Sequence, residues 1–205
     1  MAKLLKYAFR ITHIDNIPHI AQYGIVRVDS PLSNEHYVSI GDSQIIRTRG
    51  EREVKGYRLN DYIPFYLGPR SPMLYVIQHG YNSVPRVEPE KIVYCIVRLD
   101  DLMGDDFECV FTDGHALSYL TTFYTKDRLS EINNIVKYDD VYSSQWNIEN
   151  DIDLKRRKEA ELLVKNDIPT QYVRGFVVYS AEAKQQMIEM GVVENKIIVK
   201  SGYYF

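Results

Sequence analysis

Apolar and polar residues alternate from residue 6 to residue 12. The alternation predicts a first strand with Tyr7, Phe9 and Ile11 on one face and Ala8, Arg10 and Thr12 on the other. Arg10 thus points away from the more apolar face, toward a cleft. Asp15 or Asn16 offers a helix cap and Pro18 sits just inside it, so a short helix is expected through Ala21 to a terminal Gly24. Residues 28–56 are polar and weakly periodic, a long loop-rich segment of the kind that carries function. Within it, residues 39–49 are expected to form a short helix whose end presents arginines. Residues 62–67 have strand character, and Pro64 restricts that strand to an edge or first-residue position. The two prolines of residues 68–72 predict a stiff turn, and residues 73–78 a helix or buried strand closed by His79-Gly80.

Further along, residues 91–99 form a nearly continuous β-branched run, the mark of a central strand. Residues 110–112 extend into the turn Asp113-Gly114-His115. Residues 116–124 suit a helix or a ledge beside a pocket, and residues 129–138 have helical spacing. Residues 161–165 are expected to be extended or a helix end, residues 175–179 a buried strand, residues 181–190 an amphipathic helix ended by Gly191, and residues 196–199 a last strand. No internal repeat is present and no regular βαβ rhythm, which indicates an α+β chain.

Composition narrows the function classes. At 205 residues the chain fits one domain, and 45% hydrophobic with 12% aromatic residues excludes disorder. Tyrosine dominates the aromatics, 17 against 7 Phe and 1 Trp, which suits a cleft that stacks flat rings and offers hydrogen bonds as well as ordinary packing. A net charge of −3 leaves any nucleic acid to be held by a local basic patch. Arg47, Arg49, Arg52, Lys55 and Arg58 form one candidate, and Lys155 to Lys158 another. Cys95 and Cys109 lack metal-ligand spacing and are expected to be reduced and buried. Residues 1–7 lack a signal-peptide core, and no apolar run approaches the roughly 20 residues of a membrane span, so a cytoplasmic protein is expected.

Metal-hydrolase, P-loop, Rossmann and nucleophile-elbow motifs are all missing from the sequence. The stretch that draws chemical interest is residues 156–164, where a basic run turns apolar with Glu161 at the junction. Glu159 and Glu161 are solvated surface carboxylates on one reading and desolvated acids on the other. His13 and His19, taken alone, are structural hydrogen-bonding histidines. An arginine on the first strand, one in the long loop, intervening tyrosines and a late glutamate together suit a dinucleotide. Arginine pairs with pyrophosphate, tyrosine stacks on a base, and a carboxylate stabilises positive charge on a ribose as its glycosidic bond breaks.

The order of motifs resembles the DarT family of DNA ADP-ribosyltransferase toxins. The shared features are Phe9-Arg10-Ile11-Thr12-His13, the block from Asp61 to Tyr75, the turn from Phe111 to His115, Ala160 to Val164, and the aromatic Tyr203-Tyr204-Phe205. The resemblance spans nearly the whole chain. It implies an ADP-ribosyltransferase-like fold over 1–205, with a central split mixed β-sheet, flanking helices and a substrate-covering region at residues 30–56. It also implies NAD+ as co-substrate without a metal, single-stranded DNA as acceptor at thymidine or guanosine, and a macrodomain antitoxin that removes the modification. By the same resemblance Glu161 and Arg49 are catalytic, with Arg47 the alternative arginine. Arg10, Thr12, His13, Asn16, Ile20 and Tyr75 are expected at NAD+, and Arg47, Arg52, His115 and Tyr119 at DNA. Arg10 stands where many members carry His. An ADP-ribosyltransferase acting on RNA or protein, or an inactive nucleic-acid-binding module, are the alternative readings.

Overall fold

The structure is a computed structural model and describes residues 3–104 and 106–205. In chain order its elements are β1 (Tyr7–His13), α1 (Ile17–Tyr23), α2 (Ser43–Glu51), the small hairpin β2 (Glu53–Val54) and β3 (Tyr57–Arg58), β4 (Ile63–Tyr66), α3 (Pro72–His79) and β5 (Ile92–Arg98). They continue with β6 (Cys109–Thr112), β7 (Phe123–Thr125), α4 (Ile132–Ile135), α5 (Tyr138–Val141), α6 (Leu154–Lys158), β8 (Glu161–Val164), β9 (Val173–Val178), α7 (Ala181–Glu189) and β10 (Ile197–Val199). Eight strands form one sheet in the order β10-β9-β5-β1-β4-β8-β6-β7. It is a mixed sheet, since β9 and β10 run parallel while the other pairs are antiparallel.

The sheet is split between β1 and β4. β1 pairs with β5 along its whole length but meets β4 only at Phe9↔Tyr66. β4 therefore lies inside the sheet, between β1 and β8, with Pro64 as its second residue, whereas the sequence predicts an edge or first-residue position for this proline. The split explains the tolerance. The Pro64 carbonyl faces β1 and accepts from Arg10 Nη1 at 3.2 Å, so the missing N–H of the proline faces the gap too. β5, flanked by β9 and β1, is internal as its continuous apolar run predicts.

Alternate residues of the central strands feed two cores. Ala8, Val93, Cys95 and Val97 pack with Ile17 and Ile20 of α1 and Ala183 and Met187 of α7. Phe9, Ile92, Tyr94 and Val177 pack with Leu74 and Ile77 of α3 and with Tyr204. Both cysteines are free and buried, and burial pushes the Cys95 thiol up to about 12.

Local signals explain most boundaries. Ser71 caps α3 ahead of Pro72 and Gly80 closes it in the left-handed region, while Ser180 caps α7. Three expectations are corrected. Asn16 makes no cap bond to α1; its side chain is held instead by Thr12 and by the Val38 backbone, and His13 caps the preceding 3-10 turn. The helix in the long loop starts only at Ser43, because Asp42 accepts from the Gln44 and Ile45 N–H groups. Residues 116–124 form no helix but turns leading into β7.

Candidate active site

The centre of the site is the junction of α6 and β8. The charged run 155–158 is helical, and Glu161 opens β8. Its side chain is 3% exposed, which settles the two readings of this carboxylate in favour of the desolvated one. Arg49 Nη1 donates to Glu161 Oε2 at 2.9 Å, and the Ala116 N–H donates to Oε1 at 2.8 Å. The Glu161 N–H donates to Thr112 Oγ1 at 2.8 Å, and that hydroxyl donates to the Gly114 carbonyl at 2.7 Å. Both carboxylate oxygens are thus fixed in direction. Arg49 is 8% exposed, whereas Arg47, two residues away on α2, faces solvent, so the geometry selects Arg49 as the partner. Arg49 Nη2 is buried and meets no acceptor among the described residues.

Tyr66 stands across from Glu161 in the β4–β8 register, and Phe9 across from Tyr66. Burial, reinforced by Glu159 and Glu161, pushes the Tyr66 hydroxyl far above its ordinary value, so it is a fixed neutral hydroxyl. His115 follows the β6 turn, and burial lowers its pKa against the pull of Glu161, leaving a neutral imidazole at physiological pH. Arg156 braces this turn. It donates to Asp153 through Nε (2.7 Å) and Nη2 (2.8 Å) and to Asp113 Oδ1 through Nη1 (3.0 Å). A Cβ on Gly114 would come within 2.3 Å of that guanidinium, so a larger residue there would displace Arg156 from these contacts. On the other side, Lys158 is buried and donates to the carbonyls of Pro69 (3.2 Å) and Val141 (3.1 Å), anchoring the turn after β4; burial lowers its pKa to about 8.

A cavity of about 310 Å³ opens beyond the split of the sheet, lined by Arg10, Asn16, Ile20, His19, Arg27 and Tyr37 among others. Arg10 ties it to the centre through Pro64, two positions from Tyr66. Of the residues expected at NAD+, Arg10, Asn16 and Ile20 line the cavity, and Thr12 holds Asn16 from behind at 2.9 Å. His13 turns instead to Asp15, with Nδ1 and the carboxylate 3.3 Å apart. Tyr75 lies away from the cavity, on α3, in an aromatic cluster with His79, Tyr81, Trp146 and Phe205. Of those expected at DNA, Arg52 donates to the Ser118 carbonyl and lies over the rings of Tyr119 and Phe123. Tyr119 is 97% exposed, making a flat ring backed by a cation at the rim. Sequence reasoning missed Tyr66, Arg156 and the Ala116 N–H, whose roles depend on strand register and a turn that no local pattern encodes.

Among the described residues no cluster of His, Cys, Asp and Glu is arranged for a metal ion. No helix among them is long and apolar enough to cross a membrane.

Residues 9–205 match the model of a family described as "ssDNA thymidine ADP-ribosyltransferase, DarT". A DNA ADP-ribosyl transferase of Escherichia coli O127:H6 is 31% identical, over 96% of this chain and 92% of that protein. A DNA ADP-ribosyl transferase-DNA ADP-ribosyl glycohydrolase fusion protein of Thermosipho africanus is 28% identical over 87% of this chain and 44% of its own length. The fold matches that of Thermus sp. 2.9 DarT in complex with ADP-ribosylated ssDNA at a TM-score of 0.84, covering 100% of this chain and 99% of that one at 24% identity. The chain belongs to the DarT family.

Proposed function

We propose that this protein is a cytoplasmic toxin that transfers ADP-ribose from NAD+ to thymidine in single-stranded DNA, releasing nicotinamide. Residues 1–205 act as one catalytic domain, with residues 30–56 covering the substrates. The observation that carries the reading is the buried Arg49–Glu161 pair with one guanidinium nitrogen left over. Glu161 is held by two donors while Arg49 Nη2 has no acceptor among the described residues, so a substrate oxygen is the fitting partner. The family description supports thymidine as acceptor and single strands as substrate. A base inside a duplex would first have to be extruded at a cost of a few kcal/mol.

In this reading NAD+ supplies an electrophilic ribose carbon and a leaving group. Arg10, Asn16 and Ile20 hold the donor in the cavity, with Thr12 positioning Asn16. His13 and Tyr75 act at most around that cleft, since neither lines it. Glu161 places a fixed negative charge beside the ribose, where positive charge develops as nicotinamide leaves. Arg49 orients the base through Nη2. Arg52 and Tyr119 offer a cation-backed ring on which a flanking base stacks; His115, neutral, hydrogen-bonds the strand, and Arg47 meets its phosphates from the exposed face of α2. The fusion in Thermosipho africanus supports a separate DNA ADP-ribosyl glycohydrolase of macrodomain type as antitoxin. The test is a mass shift of one ADP-ribose on thymidine-containing oligonucleotides incubated with protein and NAD+. A shift confined to guanosine, RNA or protein would overturn the thymidine assignment.

A further inference from the structure

One wall of the donor cavity barely belongs to the core. Residues 31–39 are exposed apart from the half-buried Asn34, yet Ser33, Asn34, Glu35 and Tyr37 line the cavity together with Arg10 and Ile20. The two ends of this strap are fixed. Ser30 is buried and donates to Asp167 Oδ2 at 2.5 Å, and Ile40 is buried in the core that holds Phe9. Between those ends a segment of this length reaches about 30 Å when extended, so the ends alone do not set its path. The backbone hydrogen bonds inside it are local turns, from the Ser33 N–H to the Ser30 carbonyl and from the Tyr37 N–H to the Asn34 carbonyl.

What sets the path is Asn16, which is 1% exposed and lines the same cavity. Its Nδ2 donates to the Val38 carbonyl at 2.8 Å, and its Oδ1 accepts from the Val38 N–H at 2.8 Å. The side-chain amide thus pairs with both backbone groups of one strap residue, as a neighbouring strand would. Val38 itself fixes the amide's orientation, since its N–H needs the oxygen and its carbonyl needs the nitrogen. The second Nδ2 hydrogen goes to the buried Thr12 Oγ1 at 2.9 Å, and the Tyr37 hydroxyl lies 3.4 Å from that same oxygen. Among the described residues, the two Val38 bonds and the Tyr37–Thr12 contact are the hydrogen bonds that join residues 31–39 to the fold beyond Ser30. Both Nδ2 hydrogens are used, so Asn16 has no N–H left for a ligand.

We propose that Asn16 is a positioning residue for the donor: it clasps the strap at Val38 and so holds Ser33, Asn34, Glu35 and Tyr37 against NAD+, without bonding NAD+ itself. Thr12 keeps the amide in the clasping orientation. The assignment rests on the reading of this cavity as the NAD+ site. The clasp acts on the donor as a whole and not on the reacting carbon, so its loss weakens binding far more than it slows the chemistry.

The experiment compares the wild-type protein, Asn16→Ala and Ser30→Ala by amide hydrogen exchange at Val38 and by NAD+ titration of transfer to a thymidine-containing single-stranded oligonucleotide. In Asn16→Ala the Val38 amide exchanges roughly 30-fold faster, as loss of the two Val38 bonds implies. The NAD+ KM rises roughly ten-fold and kcat falls by less than about three-fold. Ser30 is not part of the cavity lining, and releasing the strap at this other anchor raises the NAD+ KM in the same sense, by about three-fold. A wild-type KM in Asn16→Ala, with Val38 exchanging freely, overturns the assignment and leaves the functional reading standing. A raised KM in Asn16→Ala with Ser30→Ala at the wild-type value overturns it too, making Asn16 a direct donor contact. If Asn16→Ala fails to fold, the KM of Ser30→Ala decides alone. A wild-type protein that neither binds NAD+ nor modifies the oligonucleotide overturns the functional reading, and this assignment with it.

Discussion

The buried Glu159 carboxylate makes a prediction about stability that is independent of catalysis. In the folded chain it titrates near pH 7, against about 4.5 for an unhindered glutamate. Between those values the native state holds a proton that the unfolded chain has lost, so the contribution of Glu159 falls as pH rises from about 4.5 to about 7 and is flat above. The displacement of about 2.5 pH units, at about 1.4 kcal/mol each, puts the ionisation penalty near 3 kcal/mol at pH 8. That figure is an upper limit, because internal relaxation and water penetration lower it. Glu159→Gln has the shape of the protonated acid but cannot ionise. Near pH 5 the variant should match the wild type to within about 1 kcal/mol, and at pH 8 it should be more stable by roughly 2–3 kcal/mol. Urea unfolding at pH 5, 6, 7 and 8 measures the difference directly, since groups common to both proteins cancel. A stability difference that stays constant across this range would refute the reasoning.

Glu161→Gln should lower transfer by roughly 10³-fold while NAD+ still binds, as read by product mass and by calorimetry. Glu161→Ala is the poorer variant, since it strands the buried Arg49 guanidinium at a cost of roughly 3–5 kcal/mol, visible as a lower urea midpoint. Arg10→Ala should weaken NAD+ binding by about ten-fold or more with little change for DNA, and equal losses would remove Arg10 from the donor cavity. Tyr119→Ala should weaken single-stranded DNA binding by roughly 1–3 kcal/mol and leave NAD+ untouched, measured by fluorescence anisotropy. Amides of residues 30–56 should gain hydrogen-exchange protection when both substrates are present, and unchanged exchange would deny the segment a covering role.

Elements with a local cause were legible in the chain. The alternation around Arg10, the apolar run of β5 and the close of α3 at His79-Gly80 all appear where residue chemistry demands them. Residues joined only by the fold were not. Pro64 signals an edge or first-residue position to a local reading, and only the split beside β1 makes it an interior strand residue. The resemblance favours Arg49 and keeps Arg47 as the alternative, and helix phase buries the first and exposes the second. The Ala116 N–H reaches Glu161 because Arg156 and Gly114 shape a turn from distant positions, an arrangement with no periodic signature. Tyr75 shares the motif block of α3 yet faces the aromatic cluster rather than the cavity.

The most direct test of the central claim is mass spectrometry of single-stranded oligonucleotides of varied base content, incubated with NAD+ and either the wild-type protein or Glu161→Gln, with matched RNA alongside. The account predicts one added ADP-ribose on thymidine-containing DNA, with none on RNA and formation slowed by roughly 10³-fold with the variant. An adduct formed by Glu161→Gln at the wild-type rate, or no adduct on any DNA, would contradict it.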